Sequence, residues 1–84
     1  MKRVLLVEDN VYFRQFLKET LQARLPSLDI LEVTNGEEAL KRMETLLPDT
    51  IFTDLRLPGA NGFELTKKIK AQYPDTIVVI ITNY

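Results

Sequence analysis

Apolar and polar positions along the chain follow two different periods in alternation. Val4-Leu5-Leu6-Val7 is an uninterrupted β-favouring run that stops at Glu8-Asp9-Asn10, the pattern of a strand buried on both faces and followed by a polar loop. Asn10 suits a helix cap. Beyond it Phe13, Phe16, Leu17 and Leu21 recur at helical spacing, with Arg14, Gln15, Lys18 and Glu19 opposite. This spacing predicts a helix of roughly four turns packed by one aromatic-rich face. Pro26 marks its end, because the residue before a proline is disfavoured in the α region. A second strand is expected near Asp29 to Val33. Thr34-Asn35-Gly36-Glu37-Glu38 then reads as a helix start, with Asn35 as cap and Glu38 placed to return a bond to the cap backbone. Ala39, Leu40, Met43, Leu46 and Leu47 form the buried stripe, and Pro48-Asp49 ends it.

Thr50 to Thr53 is the third expected strand, and it leads into Asp54 and a Pro58-Gly59 turn. A third helix starts near Asn61 or Gly62, with Phe63, Thr66, Ile69 and Tyr73 on one face and Lys67, Lys68 and Lys70 toward solvent. Lysines in its last turns suit the negative end of the helix dipole. Pro74-Asp75 breaks it, and Thr76-Ile77-Val78-Val79-Ile80-Ile81-Thr82, the most apolar run of all, reads as a buried fourth strand. The order β-α-β-α-β-α-β with short connections requires parallel strands, each helix returning the chain through a right-handed crossover. No repeat, linker or low-complexity tract interrupts it.

Composition narrows the chemistry. The 84 residues are 45% hydrophobic, with 11 basic and 12 acidic side chains, which allows one small domain with a thin stability margin. A net charge of −1, and no basic cluster longer than Lys67-Lys68, give no electrostatic case for binding nucleic acid. The chain has no cysteine and no histidine, so thiolate catalysis, disulfides, imidazole acid/base work and the usual zinc sites are excluded, and carboxylate chemistry with hard cations is left. Met1-Lys2-Arg3 opens directly onto an apolar run too short for a signal peptide or a membrane span; no membrane association is expected, and a cytoplasmic location is.

Asp54 taken alone is ambiguous, since an acid at a strand end serves as a turn or cap residue as readily as a functional group. In a parallel sheet, however, the carboxyl ends of all strands share one rim, so Glu8, Asp9 and Asp54 face one crevice if the first and third strands are neighbours. Like charges so close are costly without a cation among them. A divalent metal held by Asp9 and Asp54, with Glu8 acting through water, matches the partly hydrated arrangement that Mg²⁺ prefers. Thr82 closes the fourth strand at the same rim, where its hydroxyl could bond an oxyanion attached to Asp54.

Taken together these stretches resemble the receiver domain of two-component response regulators, of the chemotaxis-regulator type. Val4-Leu5-Leu6-Val7-Glu8-Asp9-Asn10 is similar to that family's first strand and acidic pair, Asn35-Gly36-Glu37-Glu38-Ala39-Leu40 to its second-helix start, Asp54-Leu55-Arg56-Leu57-Pro58-Gly59 to its phosphoacceptor loop and Ile80-Ile81-Thr82 to its switch strand. The resemblance implies an α/β, flavodoxin-like fold with strand order 2-1-3-4 over this stretch. It implies a phosphoacceptor rather than an enzyme: Asp54 takes a phosphoryl group from a sensor histidine kinase, and Thr82 is the switch residue. Asp9, Asp54 and the backbone carbonyl of Arg56 ligate Mg²⁺, with Glu8 assisting through water. The metal neutralises the transferring oxygens while the weakly nucleophilic carboxylate is held in line.

The family fold has five βα units, and residues 1–84 cover three and a half of them. The fourth helix, the fifth strand with its lysine and the fifth helix have no counterpart, and Lys2, Lys67, Lys68 and Lys70 do not take the lysine's place. An incomplete receiver of this kind presents the apolar fourth strand as an open edge, which predicts a homodimer through fourth-strand pairing or exchanged elements. The rival reading is a receiver-like interaction module that dimerises, or docks a partner on its first helix, without accepting phosphate. A nucleotide-binding domain is poorly supported, because no glycine-rich phosphate loop follows the first strand.

Overall fold

The computed structural model describes residues 2–57 and 61–81. The expected Pro58-Gly59 turn and the residues from Thr82 to Tyr84 lie outside the described residues. Along the chain run β1 (Arg3–Val7), α1 (Val11–Arg24), β2 (Asp29–Val33), α2 (Gly36–Leu46), β3 (Thr50–Asp54), α3 (Gly62–Gln72) and β4 (Ile77–Ile81). Each helix is started by an asparagine whose side-chain oxygen accepts a backbone N–H of the first turn: Asn10 from Phe13 at 2.9 Å, Asn35 from Glu38 at 2.8 Å and Asn61 from Glu64 at 2.9 Å. Such caps satisfy donors that the helix itself leaves unpaired, each contributing about 1 kcal/mol.

The strands form one parallel sheet in the order β2-β1-β3-β4, the flavodoxin-like arrangement. β1 is therefore central, with Leu5 aligned to Leu31 on one side and to Ile51 on the other. Side chains alternate between faces. Leu5, Val7, Val33 and Ile51 meet Ala39 and Met43 of α2 and Leu65 and Ile69 of α3 in the main buried cluster. Val4 and Leu6 are buried toward the opposite face. That face belongs to α1, because Lys18 and Arg14 of α1 reach Glu32, the β2 residue aligned with Leu6. No helix among the described residues is long and apolar enough to cross a membrane.

Four expectations about packing are corrected by the structure. Of the four apolar positions expected inward on α1, Phe13, Leu17 and Leu21 turn partly inward; Phe16 is 60% exposed and stacks on Phe13 with ring centroids 6.4 Å apart. A single helix on a sheet face buries one narrow stripe, and Phe16 lies on its flank. Leu47 does not extend the stripe of α2. It sits before Pro48, turns left-handed with φ of 45°, and is 63% exposed. The inward face of α3 is Gly62, Leu65 and Ile69 rather than one containing Phe63, which is 58% exposed. The helix is set in that rotation at its first residue, where the Gly62 N–H donates to Leu55 O at 2.8 Å. Finally, β4 is half-buried rather than buried, with Ile77 and Ile80 exposed, because it pairs on one side only among the described residues.

Candidate metal centre

Adjacent parallel strands bring their carboxyl ends to one rim, and the register of β1 against β3 determines which residues meet there. Val7 is aligned with Thr53, so the next residues, Glu8 and Asp54, emerge side by side. The β1–β2 ladder continues one step past β1 through Glu8 N–H to Val33 O at 3.1 Å, and the β3–β4 ladder through Leu55 N–H to Ile81 O at 3.1 Å. Both strand ends are thus held by backbone on the side away from the acids. Glu8, Asp9 and Asp54 each offer a carboxylate oxygen within 4.8 Å of the others.

Their surroundings differ. Asp9 is exposed, whereas Asp54 is 8% exposed and Glu8 only 1%. The Arg56 N–H donates to Asp54 Oδ1 at 3.2 Å, turning the loop back on its own aspartate. Glu8 Oε2 accepts the Asn10 N–H at 2.9 Å, so Asn10 anchors Glu8 with its backbone while capping α1 with its side chain. Glu8 Oε1 is buried without a hydrogen-bond partner among the described residues. Burial is the main reason that the Glu8 carboxyl is pushed up from 4.5 to about 7; the neighbouring Asp54 and Asp9 carboxylates add to it, and the Asn10 N–H opposes it. A buried acceptor with no partner among the described residues, beside two further carboxylates, is costly unless a proton or a cation is taken up there. With oxygen donors only, the group fits a hard divalent cation.

The residues singled out from the sequence therefore divide. Glu8, Asp9 and Asp54 are brought together, Arg56 stands in the same loop, and Thr82 lies outside the described residues. Two residues at the site escaped the sequence reading. Gly62 packs so tightly that a Cβ there would lie 2.4 Å from Asp54 O; a glycine directly after a capping asparagine is the only local sign of it. Arg14 donates from Nη1 to Glu8 O at 2.8 Å, and nothing in its helical neighbourhood marks that contact.

A family model described as the response regulator receiver domain matches residues 4–84. Among curated proteins, a protein-glutamate methylesterase/protein-glutamine glutaminase of Paramagnetospirillum magneticum is 40% identical over 78 residues, which cover 93% of this chain and 22% of that protein. The chain thus spans about a fifth of the length of the methylesterase relatives it matches. Among solved structures, the response regulator protein TrrA of Thermotoga maritima in complex with Mg²⁺-BeF superposes with a TM-score of 0.91 at 36% identity, covering 100% of this chain and 71% of that one. TrrA in complex with the histidine kinase ThkA superposes with a TM-score of 0.89 at 36% identity and the same coverage.

Proposed function

The chain belongs to the response regulator receiver domain family, and on that premise we propose that Asp54 is its phosphoacceptor, taking a phosphoryl group from the phosphohistidine of a sensor histidine kinase. The observation that carries this reading is the convergence of Glu8, Asp9 and Asp54 within 4.8 Å on one strand-end rim, with a buried Glu8 oxygen that has no partner among the described residues. An Asp54 carboxylate oxygen attacks phosphorus, the P–N bond to the kinase imidazole breaks, and the ring leaves with a proton taken up from solvent. The near-complete burial of Asp54 limits competing water, and the Arg56 N–H holds one carboxylate oxygen so that the group presents a fixed orientation. Asp9, Asp54 and the Arg56 backbone carbonyl would hold Mg²⁺, with Glu8 acting through water. The ion would neutralise charge on the transferring oxygens. In this reading Thr82 turns its hydroxyl toward the acyl phosphate.

The kinase has a surface to meet. Val11 and Tyr12 at the start of α1, and Phe16 one turn on, are all more than half exposed, and the helix begins just after Asp9 and its capping Asn10. Exposed apolar side chains on the helix that follows the acidic loop suit a partner whose own side chain must reach the rim. A cytoplasmic location belongs to the same reading.

Residues 1–84 read as the first part of a receiver, the fourth helix, fifth strand and fifth helix having no counterpart within them. In the 84-residue chain taken alone, exposed Ile77 and Ile80 on β4 favour self-association along that edge. Light scattering that gave a monomer at micromolar concentration would remove the dimer and leave the phosphoacceptor untouched. The phosphoacceptor is tested by incubating the chain with acetyl phosphate and Mg²⁺ and comparing it with Asp54→Asn by intact-mass spectrometry. One added phosphoryl group, lost in Asp54→Asn, is expected; an unchanged mass in both, with Mg²⁺ bound, would leave a receiver-like interaction module.

A further inference from the structure

The loop that carries Glu8 and Asp9 is gripped from the side by a residue of α1. Glu8, the residue after β1, continues the ladder to β2 through its N–H to Val33 O. Its own carbonyl is taken by Arg14, whose Nη1 donates to Glu8 O at 2.8 Å. The same guanidinium has a second anchor, with its Nε 3.3 Å from Glu32 Oε1 on β2. Lys18, one turn further along α1, holds the other oxygen of that carboxylate at 3.1 Å. The Arg14 side chain is shielded, with 18% exposed against 30% for that of Glu32, so this charge-assisted pair is less screened than a freely solvated one.

We propose that Arg14 is a positioning residue for the metal centre, a bridge from Glu32 to the Glu8 carbonyl that fixes where Asp9 presents its carboxylate. The link is geometric. The Glu8 carbonyl and the Asp9 N–H belong to one planar peptide unit, so holding that oxygen fixes the plane that leads into the Asp9 Cα and, with it, the direction in which the Asp9 side chain leaves. Glu8 is bound from the other end by the Asn10 N–H, which leaves the intervening peptide as the one part of the loop that Arg14 governs. A planar, forked guanidinium can make both contacts at once. A lysine ammonium at this position cannot span them.

The inference rests on the reading of Glu8, Asp9 and Asp54 as a Mg²⁺ site, and its test separates the two. The ¹⁵N-labelled 84-residue chain is titrated with MgCl₂ and followed by amide shifts, and hydrogen exchange of the Asn10 amide is measured in metal-free buffer. The variants are Arg14→Ala, Arg14→Lys, Glu32→Gln and the double variant Arg14→Ala/Glu32→Gln, with Lys18→Ala as a control that also contacts Glu32 but not the loop. Mg²⁺ affinity is expected to fall about tenfold in Arg14→Ala, the lower end of what outer-sphere partners of metal ligands contribute. Arg14→Lys is expected to recover little of this, Glu32→Gln to lose less, and the double variant to lose no more than Arg14→Ala alone. Asn10 exchange should quicken in both Arg14 variants and stay unchanged in Lys18→Ala.

Unchanged Mg²⁺ affinity and unchanged Asn10 exchange in folded Arg14→Ala would overturn the proposal. So would full recovery by Arg14→Lys, or losses from Arg14→Ala and Glu32→Gln that simply add. A wild-type chain that binds no Mg²⁺ at millimolar concentration would end the metal reading. In that case faster Asn10 exchange confined to the Arg14 variants would still support the grip on the loop, and its absence would end that too.

Discussion

Gly62→Ala tests how tightly α3 is set against the acidic rim. The added Cβ would stand 2.4 Å from Asp54 O, 3.0 Å from Leu55 Cα and 3.2 Å from Asp54 C. All three are backbone atoms at the end of β3, so no side chain can swing aside. Relief to 3.0 Å asks α3 to withdraw by about 0.6 Å, which stretches the 2.8 Å bond from Gly62 N–H to Leu55 O to the limit of a useful hydrogen bond. Overpacking of this kind costs about 1–3 kcal/mol, and a weakened hydrogen bond adds up to about 1 kcal/mol. Against them stands the helix preference for alanine over glycine, close to 1 kcal/mol when fully realised. The net is a loss of about 2 kcal/mol, a large share of the stability of a domain this small. Urea unfolding followed by circular dichroism reads it as a lower midpoint at constant slope. A variant as stable as the parent, or more stable by the full propensity gain, would show that α3 is free to shift and that the close approach is no constraint on Asp54.

The metal-free protein should lose stability as pH rises. Glu8 is held near 7 in the fold against 4.5 in the open chain, so between those values the folded state keeps a proton that the unfolded state has released, and its advantage, a few kcal/mol at most, is gone above about 7. Thermal melts of parent and Glu8→Gln from pH 4.5 to 8 check this; equal slopes in the two would refute it. On the proposed metal reading Mg²⁺ would compete with that proton, so its stabilising effect should grow across the same window, as melts with and without MgCl₂ at pH 5.5 and 8 would read. Leu47→Gly should stabilise the chain by about 0.5 kcal/mol, because glycine accepts a positive φ freely and the largely exposed leucine gives up little burial. Chemical denaturation is sufficient to measure it.

Much of the scaffold was legible because it is written in local terms. The unbroken apolar runs at Val4–Val7 and Ile77–Ile81, alternating with helical patterns, read as strands of a parallel sheet, and Asn10, Asn35 and Asn61 stand at the positions where the helix caps form. The convergence of Glu8, Asp9 and Asp54 was legible too, since topology alone places strand ends together. Helix rotation was not. Phe63 is a large apolar candidate for an inward position, yet Leu65 takes it, because the rotation of α3 is decided by the close backbone approach of Gly62 to Asp54 and Leu55 across the preceding loop, which hydrophobic periodicity does not encode. Phe16 stayed outside for a similar reason, the width of stripe that one helix can bury against one face. The grip of Arg14 on Glu8 depends on the side chain of a third element, Glu32 of β2, and no window of sequence contains all three. Glu8 reads as a rim acid from the sequence, and only the packed structure reveals how completely it is enclosed.

β1 is made before the other three described strands and ends up inside the sheet, between β2 and β3. Arg3 must wait for Asp29, and Val4 for Thr50, so the nascent chain carries Glu8 and Asp9 well solvated and far from any other member of their cluster. The repulsion among the three carboxylates is therefore absent from early, local steps and arises when β3 docks on β1, the pairing with the longest loop to close. Charge and chain entropy oppose the same late event. A cation or a proton captured there would act on the barrier as well as on the finished fold, so the acidic rim would bear on assembly whatever chemistry it later supports.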